Sequence, residues 1–252
     1  MVKRRVMQSA RTFVLFLCAV FVIARWGSAS AQTPIDIVTE NYPPYEMQEA
    51  VNGLRGFDYE VAMEAFTRMG YVPTIRFLPW KRALKETESG TTAGVLTCAQ
   101  NVERDRYMLF SDPISSFTDG LFKRKGHAGP QIRQIRDVIG QKVASMAGYE
   151  SLKELQDIGA DPIEVPNTLD GLNMLQARRF DYLHGGREMT EFMIRKHGFA
   201  GAFEFISLDR QPFHFCFSKA YPGVEALMAA FNAALAEMRR DGTYAAIHGK
   251  YR

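Results

Sequence analysis

Apolar and polar positions along this chain alternate with a period that switches repeatedly between two and about three and a half. The run IDIVT (35–39) reads as a strand. FDYEVAMEAFTRMG (57–70) then places Phe57, Val61, Ala65, Phe66 and Met69 on one helical face, with Gly70 as a stop. Strand TIRFL (74–78), a short helix over 80–89 ended by Gly90, and strand GVLT (94–97) follow. FSDP (110–113) marks a turn, and DGLFKRK (119–125) returns to strand. The rhythm then repeats. A short helix over 132–139 precedes strand KVASM (142–146), and Gly148 opens a helix to about Ile158. A short strand spans 162–165, and Thr168 is placed to cap a helix running to Ala177. Strand YLH (182–184) leads through Gly185-Gly186 into a helix to His197. FEFIS (203–207) and FHFCF (213–217) read as two further strands, and residues 224–239 as an amphipathic helix facing inward through Val224, Leu227, Met228, Phe231, Leu235 and Met238. Two blocks of alternating strand and helix predict two α/β lobes. Ligands of such sheets sit off the carboxyl ends of strands, so the chemistry is sought just after each strand.

The amino terminus changes how the charge is read. Lys3, Arg4 and Arg5 precede the unbroken apolar run TFVLFLCAVFVI (12–23), and Ser28-Ala29-Ser30-Ala31 supplies small residues before Gln32. This is the grammar of a cleaved secretory signal peptide, and the apolar run is short of the roughly 20 residues of a membrane span. The expected cleavage follows Ala31 and sends the protein to the periplasm. Residues 1–31 hold five basic and no acidic residues, so the remaining 221 carry 26 Lys and Arg against 28 Asp and Glu. The formal charge of +3 therefore belongs to the leader and argues for no nucleic-acid partner. Only Cys98 and Cys216 remain, too few for a disulfide scaffold. An oxidising compartment permits one bridge, and the sequence leaves open whether the two meet.

Three loops following strands carry candidate chemistry. Glu40-Asn41-Tyr42-Pro43-Pro44-Tyr45 stiffens a turn and offers two aromatic rings, either as a stacking wall for a ligand or as core packing. Trp80, in Pro79-Trp80-Lys81-Arg82, is open to the same two readings. Thr97-Cys98-Ala99-Gln100-Asn101 precedes Glu103-Arg104, whose guanidinium can grip a carboxylate through paired hydrogen bonds or serve as a surface salt-bridge residue. There is no HExxH, no spaced Cys/His cluster and no G-x-S-x-G. The reading is therefore binding without catalysis, with no cofactor.

The ordered series YPPY, GFDYEVA, PW, a Thr-containing strand end, ER and FSDP resembles the amino-terminal half of extracellular solute-binding proteins of family 3, among them polar amino-acid binders of ABC importers. AEMRRDGTYAAIHGKYR (236–252) resembles their carboxy-terminal ending, and PWKRAL (79–84) with GYES (148–151) resembles one branch of the family. The resemblance spans 35–252. It implies a type II periplasmic binding protein fold, with residues 32–115 and 217–252 in one lobe, 116–216 in the other, and a two-crossover hinge that closes on the ligand. It implies a monomer that captures a small amino acid or organic acid and delivers it to ABC transporter membrane subunits. By the family pattern Tyr42, Tyr45 and Trp80 pack on the ligand, Thr97 and the Ala99 amide hydrogen-bond it, and Arg104 holds a carboxylate.

The second lobe departs from the amino-acid pattern. Gly148-Tyr149-Glu150 stands where the family offers Thr or Ser, and Gly186, followed by Arg187, stands where it carries an ammonium-binding acid. Tyr149, Glu150, Gly186 and Arg187 are thus expected at the ligand, with Glu150 a candidate replacement acid. The expected ligand has an acidic group and no obligatory α-amino group. A different class, a periplasmic enzyme on the same fold resembling cyclohexadienyl dehydratase, would use Glu150 or His184 as acid or base. A third is a periplasmic sensor subunit.

Overall fold

The computed structural model describes residues 33–251. The expected leader lies outside the described residues. Strand β1 (Thr33–Thr39) pairs in parallel with β2 (Tyr71–Phe77) and with β3 (Gly94–Cys98). One helix lies between β1 and β2 and another between β2 and β3, the crossovers that parallel pairing requires. Helix α1 (Phe57–Arg68) returns from the first crossover and buries Val61, Ala62, Ala65 and Phe66, the face its periodicity predicts. Helix α2 (Trp80–Glu88) buries Trp80, Ala83 and Thr87. Short β4 (Met108–Phe110) was not anticipated from sequence.

The second block forms β5 (Ser115–Arg124), β6 (Val143–Met146), helix α3 (Glu150–Asp157), β7 (Ile163–Val165), helix α4 (Thr168–Gln176), β8 (Tyr182–Gly186) and helix α5 (Arg187–Lys196). β6 runs parallel to β7 and β8, and β8 pairs antiparallel with β5. Asn167, not Thr168, caps α4, its side chain accepting from the Asp170 amide at 2.9 Å. Asn is the stronger cap, and its extended backbone shifts the start by one residue.

The two segments 203–207 and 213–217, read as separate strands, are one continuous strand, β9 (Phe203–Ser218). Its first half pairs with β5 from Arg124↔Phe203 to Ser115↔Phe213, and its second half pairs with β3 and β4. The polar stretch Leu208–Pro212 resembles a loop in composition, but β5 alongside satisfies its backbone. β5 and β9 thus cross together from one sheet to the other. The chain closes with α6 (Val224–Arg240) and α7 (Thr243–Gly249), the latter also unforeseen.

Each sheet has its own core. In the first, Phe66, Phe215, Phe217 and Phe231 pack with ring centroids 4.5–6.4 Å apart. In the second, Phe122, Leu172, Leu175, Phe180 and Leu183 are buried together. Cys98 and Cys216, neighbouring residues of β3 and β9, form a disulfide with Cα atoms 6.0 Å apart, which resolves the pairing left open by the sequence. Among the described residues no helix is long and apolar enough to cross a membrane.

Candidate functional site

A cavity of about 500 Å³ opens at the carboxyl ends of the parallel strands, where the sheet rule places it. Glu40 follows β1, Trp80 follows β2 and Ala99 follows β3. From the other sheet, Tyr149 follows β6 and Gly186 ends β8.

In the first lobe, Tyr42 and Trp80 both line the cavity and are both mostly buried, so the wall and core readings hold together for each. Tyr42 stacks on Tyr45 at 5.4 Å and meets Tyr149 edge-on at 6.1 Å. Tyr45 is a correction. It is fully buried, packs against Phe57 and Phe213, and donates its hydroxyl to the Ser116 carbonyl at 3.1 Å. It buttresses Tyr42 and does not line the cavity. Thr97 lines the cavity, but its hydroxyl lies 2.5 Å from Glu46 and 2.9 Å from Asp58. Its backbone has φ +55, in the left-handed region, and its hydroxyl is engaged by these buried acids.

Arg104 opens a single 3-10 turn, its amide donating to Asn101 Oδ1 at 2.8 Å. The residue is 5% exposed, and its guanidinium donates to the Ala99 carbonyl at 2.7 Å and lies 5.3 Å over the Trp80 ring. Among the described residues no carboxylate forms an ion pair with it. The surface salt-bridge reading therefore fails: Arg104 is a buried cation at a cavity wall. Desolvation lowers its pKa against the opposing charges of Glu150 and others, yet a guanidinium stays charged. The Ala99 carbonyl is occupied by this contact.

Polar contacts also join the lobes across the cleft. Tyr149 donates its hydroxyl to Glu40 at 2.7 Å, Lys81 pairs with Glu164 at 3.2 Å, and Asn101 donates to Glu150. Burial pushes the Glu40 carboxyl up to about 7, against the Tyr149 hydrogen bond and the Arg104 charge. Gly186 is enclosed. A Cβ there would stand 2.8 Å from the Tyr42 hydroxyl and 3.3 Å from Phe117, so a side chain would require the Tyr42 ring to shift. Arg187 is a correction. It points out of the cavity, pairing with Glu191 at 2.7 Å and lying over the Phe205 ring, because the first residue of α5 faces away from the sheet end.

His184 is fully buried behind the wall. Its Nδ1 lies 3.2 Å from the Ser151 carbonyl and its Nε2 2.8 Å from Asp119 Oδ2. A carbonyl and a carboxylate only accept, so both ring nitrogens carry hydrogen. Burial opposes the charge, but the hydrogen bond and charge of Asp119, with Glu154, raise the pKa overall. Glu40, Phe117, Asp119, Glu154 and Phe213 also line the cavity and were not anticipated. Glu40 was legible, since it directly follows β1. Asp119 and Phe213 sit on the crossing strands, for which no local signal exists.

Two α/β sheets joined by paired crossing strands, with an aromatic-walled cleft holding a buried cation, define a two-lobed binder of the type II periplasmic class. The chain belongs to the bacterial extracellular solute-binding proteins, family 3, whose model matches residues 35–252. The L-cystine-binding protein TcyJ of Escherichia coli (strain K12) is 26% identical over 213 residues, covering 83% of this chain and 79% of that protein. A histidine kinase sensor domain with similarity to periplasmic binding proteins superposes with TM-score 0.77 at 24% identity, covering 87% of this chain and 96% of the other. An ancestral arginine-binding protein bound to arginine gives TM-score 0.74 at 22% identity, over 87% and 98%. At these identities the structural matches speak for the fold.

Proposed function

We propose that this chain is exported, captures a small carboxylate-bearing solute by closing its lobes, and delivers it as a monomer to the membrane subunits of an ABC transporter. The observation that carries the reading is Arg104, a buried guanidinium that faces the cavity without an ion pair. A buried cation with no direct ion pair is costly, and a bound carboxylate lowers that cost through charge-assisted hydrogen bonds. The relatives support a solute-binding role, one being a cystine binder. Lobes of residues 32–115 with 217–252, and of 116–216, turn about the crossing strands. Because residue 186 is a glycine, recognition does not rest on an α-ammonium seated on an acid at that position.

Thermal-shift screening of the protein against a panel of small carboxylates and their amides tests this, since a ligand selective for the folded state raises its melting temperature. Stabilisation is expected from free carboxylates alone, and Arg104→Lys weakens it because the planar fork is lost. Amides that stabilise as well as acids, with Arg104→Lys neutral, overturn the reading. Export is checked by the intact mass of the periplasmic protein, expected to begin at Gln32.

A further inference from the structure

The loop that carries Arg104 is rooted on a single residue of β9. Strand β3 pairs with β9 through Val95↔Cys216 and Cys98↔His214, and the register shifts between these pairs. The step from Val95 to Cys98 matches a shorter step on β9, so β3 carries an extra residue there, and Thr97 with φ +55 lies within the bulge. A bulge beside a site re-aims the chain that follows it. After the loop, β4 returns to the opposite edge of the same strand and pairs Phe110 with Cys216. The disulfide joins Cys98, the last residue of β3, to that same Cys216. Both ends of the loop, at Cys98 and at Phe110, are therefore fixed on Cys216.

Between these ends, among the described residues, 99–106 pair with no strand. Hydrogen bonds within the loop set its shape. The Arg104 amide donates to Asn101 Oδ1 at 2.8 Å, and the Asp105 amide to the Asn101 carbonyl at 2.9 Å. The far end is held by the Lys219 amide, which donates to the Tyr107 carbonyl at 2.9 Å. The near end, where the bulge interrupts the ladder, is held by the bridge. The Arg104 guanidinium is fastened at this near end. Its Nη1 donates to the carbonyl of Ala99, the residue after Cys98, at 2.7 Å and lies 3.9 Å from Cys98 Sγ. Cys98, Cys216, Trp80 and Met108 belong to one buried apolar cluster, and the guanidinium lies over the Trp80 ring of that cluster. Among the described residues the Ala99 carbonyl is the only oxygen to which the guanidinium donates.

We propose that the Cys98–Cys216 bridge is a positioning element for ligand binding. By pinning the bulged end of β3 it fixes the Ala99 carbonyl, and through that carbonyl it aims the remaining N–H groups of Arg104 at the carboxylate of the solute. The inference rests on the proposed function and gives the bridge a part in it beyond stability. A guanidinium grips a carboxylate well because its planar fork is held in place beforehand. A loop that must be ordered at the moment of binding loses affinity to that ordering.

The test compares bridged wild type with two unbridged forms. One is wild type unfolded in urea, reduced with a phosphine and refolded with the reductant present; the other is Cys98→Ser/Cys216→Ser. The reduced form keeps the sulfur atoms whose packing serine alters. NMR relaxation reads the order of the loop separately from global stability. Backbone order parameters of Gln100 to Arg104 should fall from the rigid value of about 0.85 to about 0.6 or below in both unbridged forms, with α1 and α6 unchanged. Calorimetry with butyrate as the probe and butyramide as its neutral control reads the effect on binding. Butyrate affinity should fall about tenfold or more when the bridge is lost, the scale of a charge-assisted hydrogen bond, and return on reoxidation. Removing the bridge from Arg104→Lys should cost less than about twofold, since a bridge that acts through the guanidinium then has nothing to act through. Unchanged order parameters at 100–104, order lost equally in α1 and α6, or an equal loss of butyrate affinity in both backgrounds overturns the proposal and leaves the bridge a brace for stability alone. Butyrate that binds bridged wild type no better than butyramide removes the carboxylate reading instead, and the order parameters then decide whether the bridge positions Arg104.

Discussion

Replacing Glu46 by glutamine should change how stability depends on pH more than stability itself. Glu46 and Asp58 are both fully buried and bracket the Thr97 hydroxyl at 2.5 and 2.9 Å. A hydroxyl has one hydrogen, so Thr97 donates to one acid and must accept from the other, which is therefore protonated. Asp58 already accepts from Ser115 at 2.7 Å, and Glu46 accepts from Thr39 on its other oxygen at 3.1 Å. We place the proton on Glu46, whose pKa burial drives well above the carboxylate range, with the Asp58 charge adding to it. Burial pushes Asp58 up to about 7. The sign follows directly. A folded pKa raised above the unfolded value means folding takes up a proton. Stability is then greatest below the unfolded carboxylate range near pH 4–5 and is lost as pH rises toward the folded pKa. One proton taken up corresponds to about 1.4 kcal/mol per pH unit. Glutamine reproduces the protonated acid, its N–H₂ donating to Thr97 and its oxygen accepting from Thr39. Its second N–H adds a pH-independent cost. Urea unfolding with the disulfide intact, at pH 5, 6, 7 and 8, should show the Glu46→Gln stability falling less steeply than wild type. The gap should move in favour of the variant by roughly 2–3 kcal/mol between pH 5 and 7. Parallel pH curves for the two proteins would refute the shared-proton argument.

Other outcomes follow from neighbouring contacts. Trp80→Ala should weaken binding of the most stabilising carboxylate in the screen by about 1 kcal/mol, roughly fivefold, by calorimetry, since it removes both a cavity wall and the ring beneath Arg104. Unchanged affinity in a folded variant would return Trp80 to a purely structural role. Glu40, with its pKa near 7, is neutral below that pH and an anion beside Arg104 above it. Carboxylate affinity should therefore fall as pH rises through about 7, and Glu40→Gln should flatten the profile; identical profiles would count against it. Replacing Cys98 and Cys216 together by serine should cost about 2–4 kcal/mol in urea unfolding, because their bond closes a loop of sequence separation 118. An unchanged midpoint would show that the bridge adds no stability.

The sequence by itself determined what local rules determine. Period-two and helical patterns located β1, α1, α2, β3, β6 and α6 to within a few residues, because each buries one face whatever its partner is. The strand-end rule likewise brought Tyr42, Trp80, Ala99 and Arg104 to the cavity, since a residue that follows a parallel strand leaves the sheet at its ligand end, and the family resemblance brought Tyr149, Glu150 and Gly186. Only the tertiary structure decided where side chains with distant partners point. Tyr45 turns inward to a carbonyl 71 residues away, and Thr97 to acids 51 and 39 residues away. Asp119 enters the cavity through a strand register with Gly186, and β9 is continuous only because β5 lies along its polar middle. Cys98 meets Cys216 because β3 and β9 are neighbours. In each case the deciding hydrogen bond, ladder or bridge joins residues far apart in the chain, and such partners exist only once the sheets have formed.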